Sequence, residues 1–169
     1  SAFTEGVNLF SSFAVLLSFK MQNKLKGVGQ IVEWSIRDES LHSEAGCWLF
    51  RTLIAENPKL KTPELEAAIN EAALLSLQLE LDFIEKVYEL GDLEGCSKYD
   101  LTNFIKNRVN TKLGDLGYNP IIGDIDMTAV NNMKWFDALS AGKQHTDFFA
   151  ARVTNYAKGT KDWDAATLF

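Results

Sequence analysis

The sequence predicts an all-α fold, and three features carry that prediction. Long stretches repeat their apolar residues at helical spacing, only three prolines occur in the whole chain, and no stretch alternates convincingly as a strand would. The prolines stand at 58, 63 and 120, each at a break between periodic stretches.

Phe3 to Lys26 contains a single breaker, Gly6, and is apolar nearly all round, the pattern of a helix enclosed by others. Its centre, Leu9 to Phe19, includes Ser11, Ser12 and Ser18 and is far shorter than the roughly 20 apolar residues a bilayer crossing needs. A buried helix is expected there, ended by Gly27 and Gly29. Val28 to Ala55 predicts a second long helix whose apolar residues include Ile31, Trp34, Leu41, Ala45, Trp48 and Leu49, closed by Asn57-Pro58. Thr62-Pro63-Glu64 opens the next, with a candidate cap, a proline in the first turn and early acidic residues. That helix runs to about Leu90 with Leu65, Ala68, Ile69, Ala72, Leu75, Leu79 and Phe83 on one side, and Gly91 as its stop. A further helix starts at Ser97 or Tyr99 and reaches about Leu113, before Gly114 and Gly117. Asn119 to Asp126 is loop-like, and residues 127–139 predict a short helix around Trp135 and Phe136. Two regions are therefore expected: a helical bundle over residues 1–142, and an extended or disordered tail over 143–169, where no period is sustained.

Composition excludes several classes of function. The formal charge is −6 and no basic cluster is present, which argues against direct nucleic-acid binding. Cys47 and Cys96 lie far apart and form no CxxC pair, so neither a disulfide framework nor a zinc knuckle is expected, and a reducing cytoplasm is the natural setting. No signal peptide and no membrane segment are expected.

The chain holds only two histidines. His42 follows Glu39 by three positions on a predicted helix, so the two side chains share a face and could offer one metal ion a carboxylate oxygen and an imidazole nitrogen. On spacing alone a solvated surface pair fits equally well. Glu5 opens the first apolar helix, where a carboxylate turned inward needs a partner, although a favourable charge at a helix N-terminus would also explain it. Carboxylate proteins that hold two metals between helices use a Glu from each of two helices and a Glu-x-x-His from each of two others. One lone Glu and one Glu-x-x-His, in that order on consecutive helices, are half of that set. His145 sits in the expected tail and is read as a solvated histidine.

The stretch Glu5-Gly6-Val7-Asn8-Leu9-Phe10-Ser11-Ser12-Phe13-Ala14, followed by Ser35-Ile36-Arg37-Asp38-Glu39-Ser40-Leu41-His42, resembles the small, radical-generating subunit of class I ribonucleotide reductases, in its C-terminal half. The likeness continues through Phe104-Ile105-Lys106-Asn107-Arg108-Val109-Asn110 and the Tyr118-Asn119-Pro120 turn, to a tail with Tyr156 and an apolar end. The resemblance implies a ferritin-like helical bundle with a dinuclear iron, or manganese and iron, centre. It implies Glu5 as a terminal carboxylate of the second metal, Glu39 as a carboxylate bridging both metals, and His42 as the second metal's imidazole. It further implies Asp38 as the acid of the radical-transfer chain, Tyr156 as a redox-active tyrosine, and Asp162 to Phe169 as the peptide that docks on the large subunit.

In that family the first metal's ligands and the radical tyrosine precede the position of Glu5, and no second Glu-x-x-His occurs in this sequence. A site shared with an upstream, N-terminal half of the small subunit is therefore expected, in an assembly that also includes the large subunit and a dimer of small subunits. The chain alone is expected to be inactive. Two rival functions remain: another ferritin-like di-metal oxidase, and a metal-free scaffold.

Overall fold

A computed structural model describes residues 1–140. The chain forms α1 (Phe10–Met21), α2 (Lys26–Glu56), a 3-10 turn (Pro58–Leu60), α3 (Pro63–Val87), α4 (Lys98–Leu116), α5 (Met127–Asn132) and α6 (Lys134–Ser140). Among the described residues the β pairing consists of one isolated bridge between Leu93 and Cys96. α1 packs on α2, α3 and α4, while α4 lies against α2, α3 and α5, and α6 returns to α2. The core is built where these meet, from Phe10 and Leu17 of α1, Ile84 of α3, Leu101, Ile105 and Leu113 of α4, and Phe136 of α6. Phe136 sets its ring edge-on to both Phe10, at 5.9 Å, and Phe104, at 5.3 Å, which ties α6 to α1 and α4.

The starts of α3 and α4 follow local chemistry. Thr62 accepts the amide of Leu65 at 3.2 Å, with Pro63 and Glu64 in the first turn of α3. Ser97 accepts the Asp100 amide and returns its hydroxyl proton to the Asp100 carboxylate at 2.7 Å. Gly117, at φ +87°, closes α4 in the left-handed conformation that glycine adopts without penalty.

Three expectations are corrected. First, no regular helix spans Phe3 to Lys26: residues 2–9 are overlapping turns, and α1 begins only at Phe10, so Glu5 precedes the helix instead of opening it. Second, Gly27 and Gly29 lie inside α2, and the chain reverses at Asn23 and Leu25, both at positive φ. Gly29 serves close packing: a β-carbon there would fall 2.7 Å from Lys20 Cδ, and Lys20 lies over this turn to pair with Glu33 at 2.6 Å. Third, the apolar stripes read from the sequence are not the faces this chain buries. α2 turns Gly29, Val32, Glu33, Ile36, Ser43 and Cys47 inward, leaving Trp34 51% and Trp48 61% exposed together with Ile31, Leu41 and Leu49. α3 buries Ala73, Ser76, Leu77, Glu80 and Ile84 and leaves Leu75, Leu79 and Phe83 outward. These helices carry apolar residues on two faces, and a periodicity argument finds the richer one whether or not this chain covers it.

Candidate metal centre

α2 is the platform of the site. One helical turn sets Glu39 and His42 on the same side, with Glu39 Oε2 3.5 Å from His42 Nδ1. Glu5 reaches them from the turns ahead of α1, where the hydrogen-bond step changes within a few residues. The amides of Glu5 and Val7 bond four residues back, to Ser1 and Phe3 at 2.9 Å. The Asn8 amide bonds five back, to Phe3, and the Phe10 amide only three back, to Val7. A widened turn of this kind re-aims the side chains it carries.

Gly6 is the point of closest approach between this segment and its neighbours. A β-carbon there would overlap the Ala2 carbonyl and the Ser43 hydroxyl of α2, with Lys112 of α4 also in contact. The Ser1 hydroxyl lies 2.6 Å from Glu5 Oε2 and 3.1 Å from the His42 carbonyl, and its single proton serves the shorter, charge-assisted contact.

One ligand atom from each of Glu5, Glu39 and His42 lies within 4.8 Å of the other two. Metal–ligand bonds of about 2.0–2.2 Å put two opposed ligand atoms roughly 4.4 Å apart, so small rotamer adjustments would close these three on one ion. Two carboxylates and one imidazole are a donor set suited to iron and manganese. Glu5 and Glu39 are half-buried and His42 is exposed. Three donors would leave coordination positions of an ion open, and His42 is the exposed member of the group.

Asp38 also lies on α2 but is exposed and outside this cluster, about 100° around the helix from Glu39. Tyr156, His145 and Asp162 to Phe169 fall outside the described residues, as does the whole of the expected tail.

Two charged residues next to the site were given no role by the sequence. Glu80 of α3 is buried, and its Oε2 accepts the Ser11 amide at 2.9 Å. Arg108 of α4 donates from Nε to the Gly6 carbonyl at 2.5 Å. Burial holds the Glu80 carboxyl above its usual range, opposed by its hydrogen bonds from Ser11 and by the charge of Arg108. Burial likewise lowers the Arg108 guanidinium to about 10 against the pull of Asp137, Asp115 and Glu80, and raises the Asp137 carboxyl.

Because the folded-state value of Glu80 lies above its ordinary 4.5, the stability it contributes is fully present below 4.5 and is lost as pH rises through the raised value. Glu80→Gln keeps an acceptor for Ser11 and removes this titration. Urea unfolding across that window is expected to show a shallower fall of stability with pH in the variant; an unchanged slope would assign the fall to other groups.

The family described as ribonucleotide reductase, small chain, matches residues 1–128. This chain belongs to that family. It is 37% identical over 166 residues to the Invertebrate iridescent virus 3 protein named "Probable ribonucleoside-diphosphate reductase small subunit 048L", covering 96% of this chain and 43% of that one. It is 28% identical over 160 residues to ribonucleoside-diphosphate reductase subunit beta of Chlamydia pneumoniae, covering 94% of this chain and 44% of that one. Among solved structures, the ribonucleotide reductase R2 subunit from Clostridium botulinum superposes with a TM-score of 0.74 at 23% identity, over 82% of this chain and 43% of that one. The helical small-subunit fold expected from the sequence is thus the fold observed. The chain spans somewhat under half the length of these relatives.

Proposed function

We propose that the chain is part of a ribonucleoside-diphosphate reductase small subunit and contributes Glu5, Glu39 and His42 to its dinuclear centre of iron, or of manganese and iron. The observation that carries this proposal is the meeting of those three side chains, one from the turns before α1 and two from α2, within ligand distance of one another. Once bound, the metals supply the one-electron oxidising power from which, with oxygen, the subunit's radical arises.

The chain's own residues hold and connect that site. Glu39 and His42 share one turn of α2, so carboxylate and imidazole move as a unit. Glu5 reaches the same point from a segment pinned by Gly6. Asp38, exposed beside Glu39, is the hydrogen-bonding link from the site toward the surface, and Tyr156 is the next relay. Asp162 to Phe169 dock on the large subunit through apolar anchors on an acidic peptide, and substrate chemistry belongs to that partner.

The remaining ligands come from a segment of the small subunit outside this chain, its N-terminal half. The outward apolar faces of α2 and α3 support such a cover, as does the open groove of about 540 Å³ beside the site, where Phe3, Phe50, Ile69 and Leu75 line the wall. Small subunits so completed would pair as dimers. Cys47 and Cys96 are both free and buried, which suits a reducing, cytoplasmic setting, and no described helix is long and apolar enough to cross a membrane.

Metal content per chain tests the proposal, measured on this chain alone and after completion with the N-terminal half. About two ions per completed subunit, with an oxygen-dependent radical signal and little metal on the chain alone, is the expected result. A full complement on the chain alone refutes the shared site, and no metal in either sample leaves the scaffold function. Truncation after Asp162 is expected to abolish nucleotide reduction with the large subunit while metal content stays unchanged. Normal turnover of that truncation would eliminate the docking role.

A further inference from the structure

We propose that Arg108 is a positioning residue for Glu5, acting through the Gly6 carbonyl and assisted by Glu80. The proposal rests on the assignment of Glu5, Glu39 and His42 as metal ligands.

The argument begins with a gap in the hydrogen-bond ladder. In a regular helix the Gly6 carbonyl would accept the Phe10 amide, and the Val7 carbonyl would accept that of Ser11. Here the Phe10 amide turns to Val7 at 2.9 Å, which releases the Gly6 carbonyl, and Ser11 is left without its helical acceptor. Both groups lie where water is scarce, since Gly6, Val7, Phe10 and Ser11 are all buried. Unmade, each bond would leave a buried polar group without a partner, which folded proteins avoid.

Two other helices fill the gap. Arg108 of α4 donates Nε to the Gly6 carbonyl at 2.5 Å, and Glu80 of α3 accepts the Ser11 amide at 2.9 Å. The Arg108 guanidinium carbon also sits 3.2 Å from the centre of the Phe10 ring. That ring is braced in turn by Phe13 at 5.6 Å and Phe136 at 5.9 Å. The guanidinium thus grips the segment both at the carbonyl just after Glu5 and at the first residue of α1.

The direction in which Glu5 points depends on this grip. Gly6 has no side chain to resist rotation of its own backbone, and glycine tolerates φ and ψ values closed to other residues. Its carbonyl is held by the bond from Arg108, and Ser43 and the Ala2 carbonyl crowd the space a β-carbon would take on its other side. With both held, the peptide that carries Glu5 has little freedom to turn, and its side chain stays within reach of Glu39 and His42. Loss of the Arg108 bond frees the hinge and lets the carboxylate swing. Supporting contacts of this kind are worth about 10–100-fold in metal affinity.

Cobalt(II) binding to the completed small subunit tests this, read by affinity and by the visible d–d spectrum, for the wild type, Glu5→Gln, Arg108→Lys and the double variant. Lysine keeps the charge and much of the stem but has no donor at the Nε position. Arg108→Lys is expected to bind cobalt about tenfold more weakly, with a spectrum shifted toward that of Glu5→Gln and with helix content retained by circular dichroism. In the Glu5→Gln background the same change is expected to cost nothing further, because the ligand it positions has already been lost. An equal loss in both backgrounds, or no loss in either, overturns the positioning role while leaving the metal centre standing. A wild type that takes up no cobalt overturns the metal centre itself, and this proposal with it. Should Arg108→Lys fail to fold, Phe10→Leu loosens the guanidinium without removing a charge, and the same cycle with Glu5→Gln decides.

Discussion

Replacing His42 with alanine is expected to strip the completed small subunit of at least one of its metal ions, with affinity at the affected site lowered more than tenfold. The imidazole is the one nitrogen donor in the cluster, and its Nδ1 is the atom that faces Glu39. Ligation through Nδ1 would place the ring proton on Nε2, the neutral form a metal requires. Because the side chain is exposed in this chain, its removal opens no cavity in the core, so helix content and the unfolding midpoint of the apo protein should change little. Glu44, exposed on the same helix and absent from the cluster, is the matched control: Glu44→Gln should keep full metal content. Elemental analysis of the three proteins after the same loading settles the matter. Metal content unchanged by His42→Ala would remove the ligand assignment.

Gly6→Ala and Gly114→Ala make the same chemical change, and opposite results are expected from them. At Gly6 the new methyl group would meet the Ala2 carbonyl and the Ser43 hydroxyl inside contact distance, and a backbone carbonyl cannot step aside as the end of a long side chain can. Overpacking of this kind costs about 1–3 kcal/mol, and the relaxation that relieves it moves the segment carrying Glu5. Metal content should therefore fall along with stability. Gly114 lies in α4 with open space around its α-carbon, so alanine there should raise stability by up to about 1 kcal/mol through helix propensity. Urea unfolding of both variants reads the two signs directly. A neutral Gly6→Ala would mean that the segment is less tightly enclosed than its contacts indicate.

What the sequence made legible was local. Thr62-Pro63-Glu64 and Ser97 marked the starts of α3 and α4 because a cap and the amide it satisfies lie within one turn. Glu39 and His42 were paired by helical spacing in the same way. The start of α1 could not be read, since the acceptor for the Ser11 amide is Glu80, on another helix. Nor could the buried faces of α2 and α3, because periodicity registers where apolar residues are and not which neighbour covers them. Ile31, Trp34, Leu41, Trp48 and Leu49 form a richer stripe than Gly29, Val32, Glu33, Ile36, Ser43 and Cys47, which this chain turns inward. The grouping of Glu5 with the pair on α2 was suggested by a lone Glu and a Glu-x-x-His on consecutive helices, and the resemblance assigned it as a ligand. Arg108 lay within a stretch that carried the resemblance, yet its role depends on a carbonyl freed by an irregular turn, which no spacing rule anticipates.

The contact between Glu80 and the Ser11 amide closes a loop of 69 residues. Loops of that length close slowly relative to helical turns, and the contact cannot form before α3 has docked. The first turn of α1 therefore has no cap while the chain is still collapsing, whereas α3 and α4 carry theirs from the moment they coil. Folding should run in an order different from that of the sequence: α3 and α4 settle first, α1 is registered against them, and Glu5 reaches its final place late. Metal offered early to the refolding chain would then meet Glu39 and His42 before it meets Glu5.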